Sequence, residues 1–447
     1  MTKTVEKYLG EFEQLQKEIG GNEPAWLAET RKQAMARFAS CGFPTTRQEE
    51  WRYTSTDPIA NHPFTRRTGS KINGSAATLK TLTLGTPEEI RLVFINGDYS
   101  KELSSLGSLP KGDLPEGVVV TNLASLLAKA PDLIQPYLAQ QSDQNESPPF
   151  VALNTGFIKD GAFVLVPKGQ IVVTPIHLIF LTTPGVEPLL SQPRNIIIAE
   201  PGGQVTLVET YIGRGKYLTN TVTQIFAADN AIVDHIKLQL EDEQAFHIGN
   251  IQAHQERSSH LASHSFSFGG LLTRNDIATT LEAEGADGTL NGLYLVRGEQ
   301  HVDHHTTVDH RRPHATSREL YKGILDGHAK GVFNGKIIVR PDAQKTEARQ
   351  TNKNLLLSED AVIHTKPQLE ILANDVKCNH GATIGQLDDN AIFYLRSRGL
   401  GASEAKSFLT NAFAREIVDS IKMMPFRHKL EQIIHERLTT LPMGTSA

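Results

Sequence analysis

A chain of 447 residues, 39% hydrophobic and 21% charged, has the length for two or three domains or for one elongated repeat body with terminal additions. Its formal net charge of −5 argues against general nucleic-acid binding, which draws on a basic excess. Two widely separated cysteines, Cys41 and Cys378, with no CxxC spacing at either, argue against a disulfide framework and suit a reducing compartment.

The N-terminal run lacks the apolar core of a signal peptide and is too acidic for a transit peptide. No apolar stretch approaches the ~18 residues of a membrane helix, so a soluble cytoplasmic protein is expected. Val5, Tyr8, Phe12, Leu15 and Ile19 alternate three- and four-residue steps and predict one apolar helix face. Gly20 and Gly21 end that helix, and Pro24 opens a second anchored by Trp26, Leu27, Met35 and Phe38. These elements define an N-terminal helical region over 1–62. A mixed α/β region follows over 63–149, with a helix expected from Leu123 to Leu138. It closes on the polar tract Gln140 to Pro149, which has little to bury and reads as a linker.

From Phe150 to Gly385 short β-rich runs succeed one another, among them Phe163–Val166, Ile176–Leu181, Asn195–Ile198 and Val205–Val208. Later runs, Gly335–Val339, Lys353–Leu357 and Gln368–Leu372, recur at ~15 residues with degenerate sequence, the pattern of stacked solenoid coils. A parallel β-helix over 150–385 is the expectation. Its open ends need covers, and the terminal helices could supply them. The remainder, 386–447, reads as a C-terminal helical domain. Asp388 or Asp389 caps its first helix and Gly399 ends it; Ser403 caps the next. Leu409, Phe413, Ile417 and Ile421 then follow at four-residue steps, and Pro425 breaks the pattern before Leu430, Ile433, Ile434 and Leu438. A stripe this apolar must be covered, by the chain itself or by a partner.

Three constellations carry donor atoms. His301, Asp303, His304, His305, Asp309, His310 and His314 offer imidazoles and carboxylates, the ligands of zinc, iron or copper. On a strand, however, His301, Asp303, His305 and Asp309 point one way and His304 and His310 the other, so ladders of polar side chains are the stronger reading. Gly331 to Ile337 resembles a phosphate loop one residue short, without the Ser or Thr after its lysine. Cys378 and His380, two apart, share one face of a strand where the β pattern gives way to helices. Thiolate and imidazole suit iron and nascent clusters, but on spacing alone a small core cysteine beside a hydrogen-bonded surface histidine is the stronger reading.

The wording of this last segment is more specific. Lys366-Pro367-Gln368-Leu369-Glu370-Ile371, Asp375-Val376-Lys377-Cys378-Asn379-His380-Gly381-Ala382-Thr383 and Phe393-Tyr394-Leu395-Arg396-Ser397-Arg398-Gly399 closely resemble the C-terminal region of the SufB/SufD family. Leu320–Leu325, Gly331–Lys336, Ala152–Thr155 and Asp303–Thr306 resemble its core, and Gly42-Phe43-Pro44 with Glu49–Thr54 its SufD-type lead-in. SufB-like chains carry a cysteine where this one has Leu395, so the SufD branch is favoured.

The resemblance implies a mainly β, right-handed parallel β-helix core between helical end domains. It implies a non-catalytic scaffold subunit for building and transferring iron–sulfur clusters. A SufB-like scaffold would pair with it near Cys378 and His380, and a SufC-like ATPase would bind the C-terminal helices, here at Phe408, Phe413 and Ile417. His380 maps onto the family's interface histidine, with Cys378 beside it. A transient iron or cluster would be shared with the partner, and no cofactor would be held tightly by the isolated chain. Alone, the chain could form a homodimer through the same edge. Two alternatives stand beside this reading: a SufB-like primary scaffold, and a β-helix enzyme acting on polysaccharides.

Overall fold

The computed structural model describes residues 3–21, 23–62, 64–66, 89–106, 114–139, 147–183, 185 and 187–439. The expected linker over Gln140 to Glu146 lies outside the described residues.

Two ten-stranded sheets face each other and make a parallel β-solenoid of about eight turns. Side chains alternate between lumen and exterior. Pairing takes Ser263 to Leu290, Leu290 to Glu319, Glu319 to Gln350 and Gln350 to His380, so successive coils advance by 27, 29, 31 and 30 residues. The 15-residue interval in the sequence is thus half a coil, one strand in each sheet. The stack reaches further toward the N-terminus than Phe150, because Ile90–Ile95 pairs in parallel with Ile176–Thr182. The expected strand texture at Phe150 begins instead with a buried helix, Pro149–Gly156.

The lumen is apolar at many levels, with Val164, Leu178, Leu207, Ile225, Val233, Ile251, Leu290, Val302, Leu325 and Ile337 in one continuous core. Burial on this scale is the main driving force for the fold, at roughly 25 cal/mol per Å² of apolar surface.

The terminal helices cover the flanks of the solenoid, not its C-terminal end. Val5, Tyr8, Phe12 and Leu15 of the helix Lys3–Ile19 share a core with Phe150, Phe157, Leu218, Phe246 and Leu272 on the outside of one sheet. Helices Ala402–Val418 and Met424–Thr439 lay Ile417, Val418, Phe426, Leu430 and Ile434 on Ile236, Phe266, Leu293 and Ile324 of the other. A sheet buried on both faces explains why most of its strands lack clean polar–apolar alternation.

Several boundaries differ from expectation. Pro131 and Pro136 divide the helix expected over Leu123 to Leu138 into Leu123–Lys129, a 3-10 turn Pro131–Leu133 and Gln135–Ala139. Gly401, not Ser403, is the N-cap of Ala402–Val418, and the Glu404 carboxylate accepts from the Gly401 N–H at 2.8 Å. That helix ends at Val418, and Pro425 lies in the first turn of the next. Asp388 caps Asp389–Ser397 by accepting from the Asn390 N–H at 2.9 Å, and Gly399 follows it with φ +98°.

Candidate functional site at the open end of the solenoid

The last strand, Lys377–Gly385, pairs only with Glu347–Leu356, and Val362–Ile371 is the corresponding last strand of the other sheet. Among the described residues no further coil lies on either, so both present unpaired backbone N–H and C=O groups. Val362, Ile371, Leu372 and Ile384 are exposed there. The next helix, Asp389–Ser397, buries no residue and presents Phe393 at 73% exposure. Apolar surface and open strand edges thus lie side by side at this end of the solenoid.

Cys378 and His380 stand on this rung in register with Ala348 and Gln350. Both of those partners are buried, as are Asn352 and Asn354 further along the same strand. Cys378, His380, Ala382 and Ile384 therefore continue the columns of side chains that fill the lumen, at a level that no further coil covers among the described residues. Cys378 packs partly against the lumen core, and burial pushes its thiol up. It is a thiol, not a thiolate, at neutral pH. His380 is exposed. Among the described residues no group of three or more His, Cys, Asp or Glu side chains is placed to hold a metal ion. Any cluster bound here needs ligands from elsewhere.

The histidine-rich segment forms one strand, His301–His310, and divides as its alternation predicts. His304 lies in the lumen between Tyr294 and Tyr321, with ring centroids 5.3 and 5.4 Å away, and burial lowers its pKa to about 3. His310 also faces inward, 2.8 Å from the Ser317 hydroxyl. On the outer face, Asp303 accepts from Thr54 at 2.6 Å and from Arg274 at 2.8 Å. The Arg274 guanidinium lies 3.7 Å over the Trp51 ring. His305 sits 3.0 Å from Asp303 and 3.2 Å from Glu50. Burial opposes its charge, but the two carboxylates outweigh that and raise its pKa to about 9. The metal site considered for this segment is therefore replaced by a joint, where residues 50–54 clasp the solenoid. Gly331 to Ile337 lies within the strand Lys330–Val339, with no helix to supply phosphate-binding amides.

The three residues expected to receive an ATPase are separated by burial. Phe408 is 57% exposed and borders a groove of about 340 Å³ with Asn411, Arg415, Glu431 and Ile434. Phe413 is partly buried under the Lys322 ammonium. Ile417 is fully buried against the sheet, so in this packing it cannot touch a partner.

Sequence reasoning missed the role of Glu50, Trp51 and Thr54, and it missed the polar side chains within the lumen. Alternation alone cannot say which face of a strand looks inward when both are covered.

Residues 180–413 match the family described as SUF system FeS cluster assembly, SufBD core domain, and residues 2–178 match the SufBD protein N-terminal region. An iron–sulfur cluster assembly SufBD family protein of Synechocystis is 34% identical over 93% of this chain and 92% of its own length. The iron–sulfur cluster assembly protein SufD of Escherichia coli is 30% identical over 91% of this chain and 92% of its own. SufD of Bacillus subtilis is 25% identical over 93% and 95%.

Proposed function

The chain belongs to the SufBD family, and from that premise we propose how this SufD-like iron–sulfur cluster assembly subunit works within its complex. A SufB-like scaffold docks on the open rung, adding its strands to the edges Val362–Ile371 and Lys377–Gly385. His380 then faces the partner and supplies an imidazole ligand to iron or a nascent cluster, with Cys378 beside it. The cluster is cargo, shared across the interface and handed on. The isolated chain holds no tight cofactor and catalyses no reaction of its own, and it self-associates through the same edge when its partner is missing. The working compartment is the cytosol.

A SufC-like ATPase binds the C-terminal helices around Phe408. Those helices are tied to the sheet that carries His380. Lys322 donates to the Phe413 carbonyl at 2.8 Å and pairs with Glu416 at 2.6 Å, and Lys353 reaches the same carboxylate at 3.4 Å. Lys353 pairs with Thr383 of the last strand. A pull on the helices is therefore delivered close to His380, and ATP-driven closure of the ATPases opens the interface for assembly.

The observation that carries this reading is the exposed His380 on an uncovered terminal rung. Leu395 in the helix Asp389–Ser397, and the cysteine count, weigh against a SufB-like primary scaffold. The test is reconstitution with both partners. His380→Ala should abolish most cluster assembly while the complex still forms; undiminished cluster yield would remove His380 from the chemistry.

A further inference from the structure

Each of the last three coils places one inward side chain from each sheet at matching positions. Glu319, Gln350 and His380 follow one another in register along one sheet. Thr306, Gly335 and Pro367 do so along the other. Across the lumen the two columns meet: Glu319 lies against the Thr306 hydroxyl, and the Gln350 amide fills the space over Gly335. A Cβ at Gly335 would stand 2.3 Å from Gln350 Nε2. His380 is the third level, where the lumen ends.

The middle level is oriented. Gln350 is fully buried, and its Nε2 donates to Glu319 Oε2 at 2.6 Å. Once Glu319 is ionised, above pH 7, that bond fixes which way the amide points, because a carboxylate accepts and cannot donate to the amide oxygen. The other end, Gln350 Oε1, is buried without a partner. A buried carbonyl oxygen left unpaired costs about 1–3 kcal/mol, so a donor within reach is strongly favoured. The next side chain in the column is His380, one strand spacing away at about 4.8 Å. Its ring makes no hydrogen bond among the described residues, and it carries the N–H that Gln350 lacks.

We infer that Glu319 and Gln350 are positioning residues for His380: Glu319 clamps the amide, and Gln350 Oε1 accepts from the His380 Nδ1–H. An imidazole so held presents unprotonated Nε2 outward from the rung, as an iron ligand must. The free chain would carry its ligand already in the right tautomer, before any partner docks. This rests on the assignment of His380 proposed above, but its test does not depend on cluster chemistry.

The test is ring nitrogen NMR at pH 8.5, where Glu319 is ionised, on the free, full-length chain, with His380 assigned by comparison with His380→Ala. The expected spectrum has His380 predominantly as the Nδ1–H tautomer. Gln350→Leu should move it toward the Nε2–H form that solvent-exposed imidazole prefers. Glu319→Gln, which keeps the shape but releases the amide to flip, should move it part of the way. In the reconstituted complex, Gln350→Leu should lower cluster yield about 10-fold or more, the usual range for a residue that orients a metal-ligating histidine. A wild-type His380 already in the Nε2–H form overturns the inference without any variant having to fold. So do His380 shifts that stay the same in both variants. A normal cluster yield from His380→Ala would instead overturn the proposed function and leave the tautomer result standing by itself.

Discussion

Phe408 and Ile417 stand on opposite sides of one helix: Phe408 is 57% exposed and Ile417 fully buried. Nine residues separate them, two and a half turns at 3.6 residues per turn. They therefore serve different purposes. Ile417→Ala should cost about 2–5 kcal/mol of stability, the range for a truncated core aliphatic, and show as a lowered urea midpoint. Phe408→Ala should leave that midpoint within about 0.5 kcal/mol, as surface changes do. It should weaken capture of the ATPase in a pull-down. If Phe408→Ala bound the ATPase as well as the parent chain, the groove it borders would lose its assignment.

Cys378 should behave as a half-buried, protonated thiol. Burial raises its pKa, and only the thiolate attacks an alkylating agent. Iodoacetamide at pH 7.5 should therefore label Cys378 more slowly than it labels glutathione, and Cys378→Ala should keep most cluster assembly when His380 is intact. Labelling as fast as that of a free thiol would mean the side chain is open and ionised, and would restore it as a ligand.

How far the sequence carries is seen at three places. The solenoid was legible because a half-coil leaves a steady interval between apolar runs, even with degenerate wording. His380 was legible through its motif, and strand pairing adds that it extends a lumen column. The placement of the terminal helices was not legible. An apolar stripe such as Val5–Tyr8–Phe12–Leu15 states that it must be covered but not by what, and here the cover is the outer face of a sheet. Nor could spacing reveal the contact of Glu50 with His305, 255 residues apart in the chain. It is made by one segment folding over a strand, and neither sequence carries a period that refers to the other.

Glu319 should make stability fall with rising pH. Burial lifts its carboxyl to about 7, against the lowering effect of the Gln350 amide bonded to it and of the neighbouring Thr306 hydroxyl. Its folded pKa lies above the unfolded value of about 4.3. The stabilising contribution is thus complete below that value and is lost as pH rises through 7. Glu319→Gln cannot titrate. Its unfolding free energy should fall less between pH 5 and pH 8 than that of the parent, by an amount on the order of 3 kcal/mol. Urea titrations at the two pH values measure this; parallel losses in both proteins would show that the carboxyl is ionised at little cost.

His305 should confer a second loss at higher pH. Its folded pKa of about 9 exceeds the usual value of about 6.5, held up by Asp303 and Glu50 against burial. The contribution is complete below about 6.5 and disappears as pH rises through 9. At pH 7 about three-quarters of it remains, on the order of 2.5 kcal/mol. His305→Gln should lose this at pH 7 and differ little from the parent at pH 10. Because the ring joins residues 50–54 to the solenoid, the loss should be local: amide exchange should quicken around Trp51 and Thr54 before it does in the strands beneath. Asp303→Ala should be the harsher change. It leaves Arg274, its guanidinium packed on Trp51, without its most buried carboxylate partner, and breaking a buried pair from one side costs about 3–5 kcal/mol. If His305→Gln and the parent kept the same stability difference from pH 7 to pH 10, the charged form of His305 would not be what holds the clasp closed.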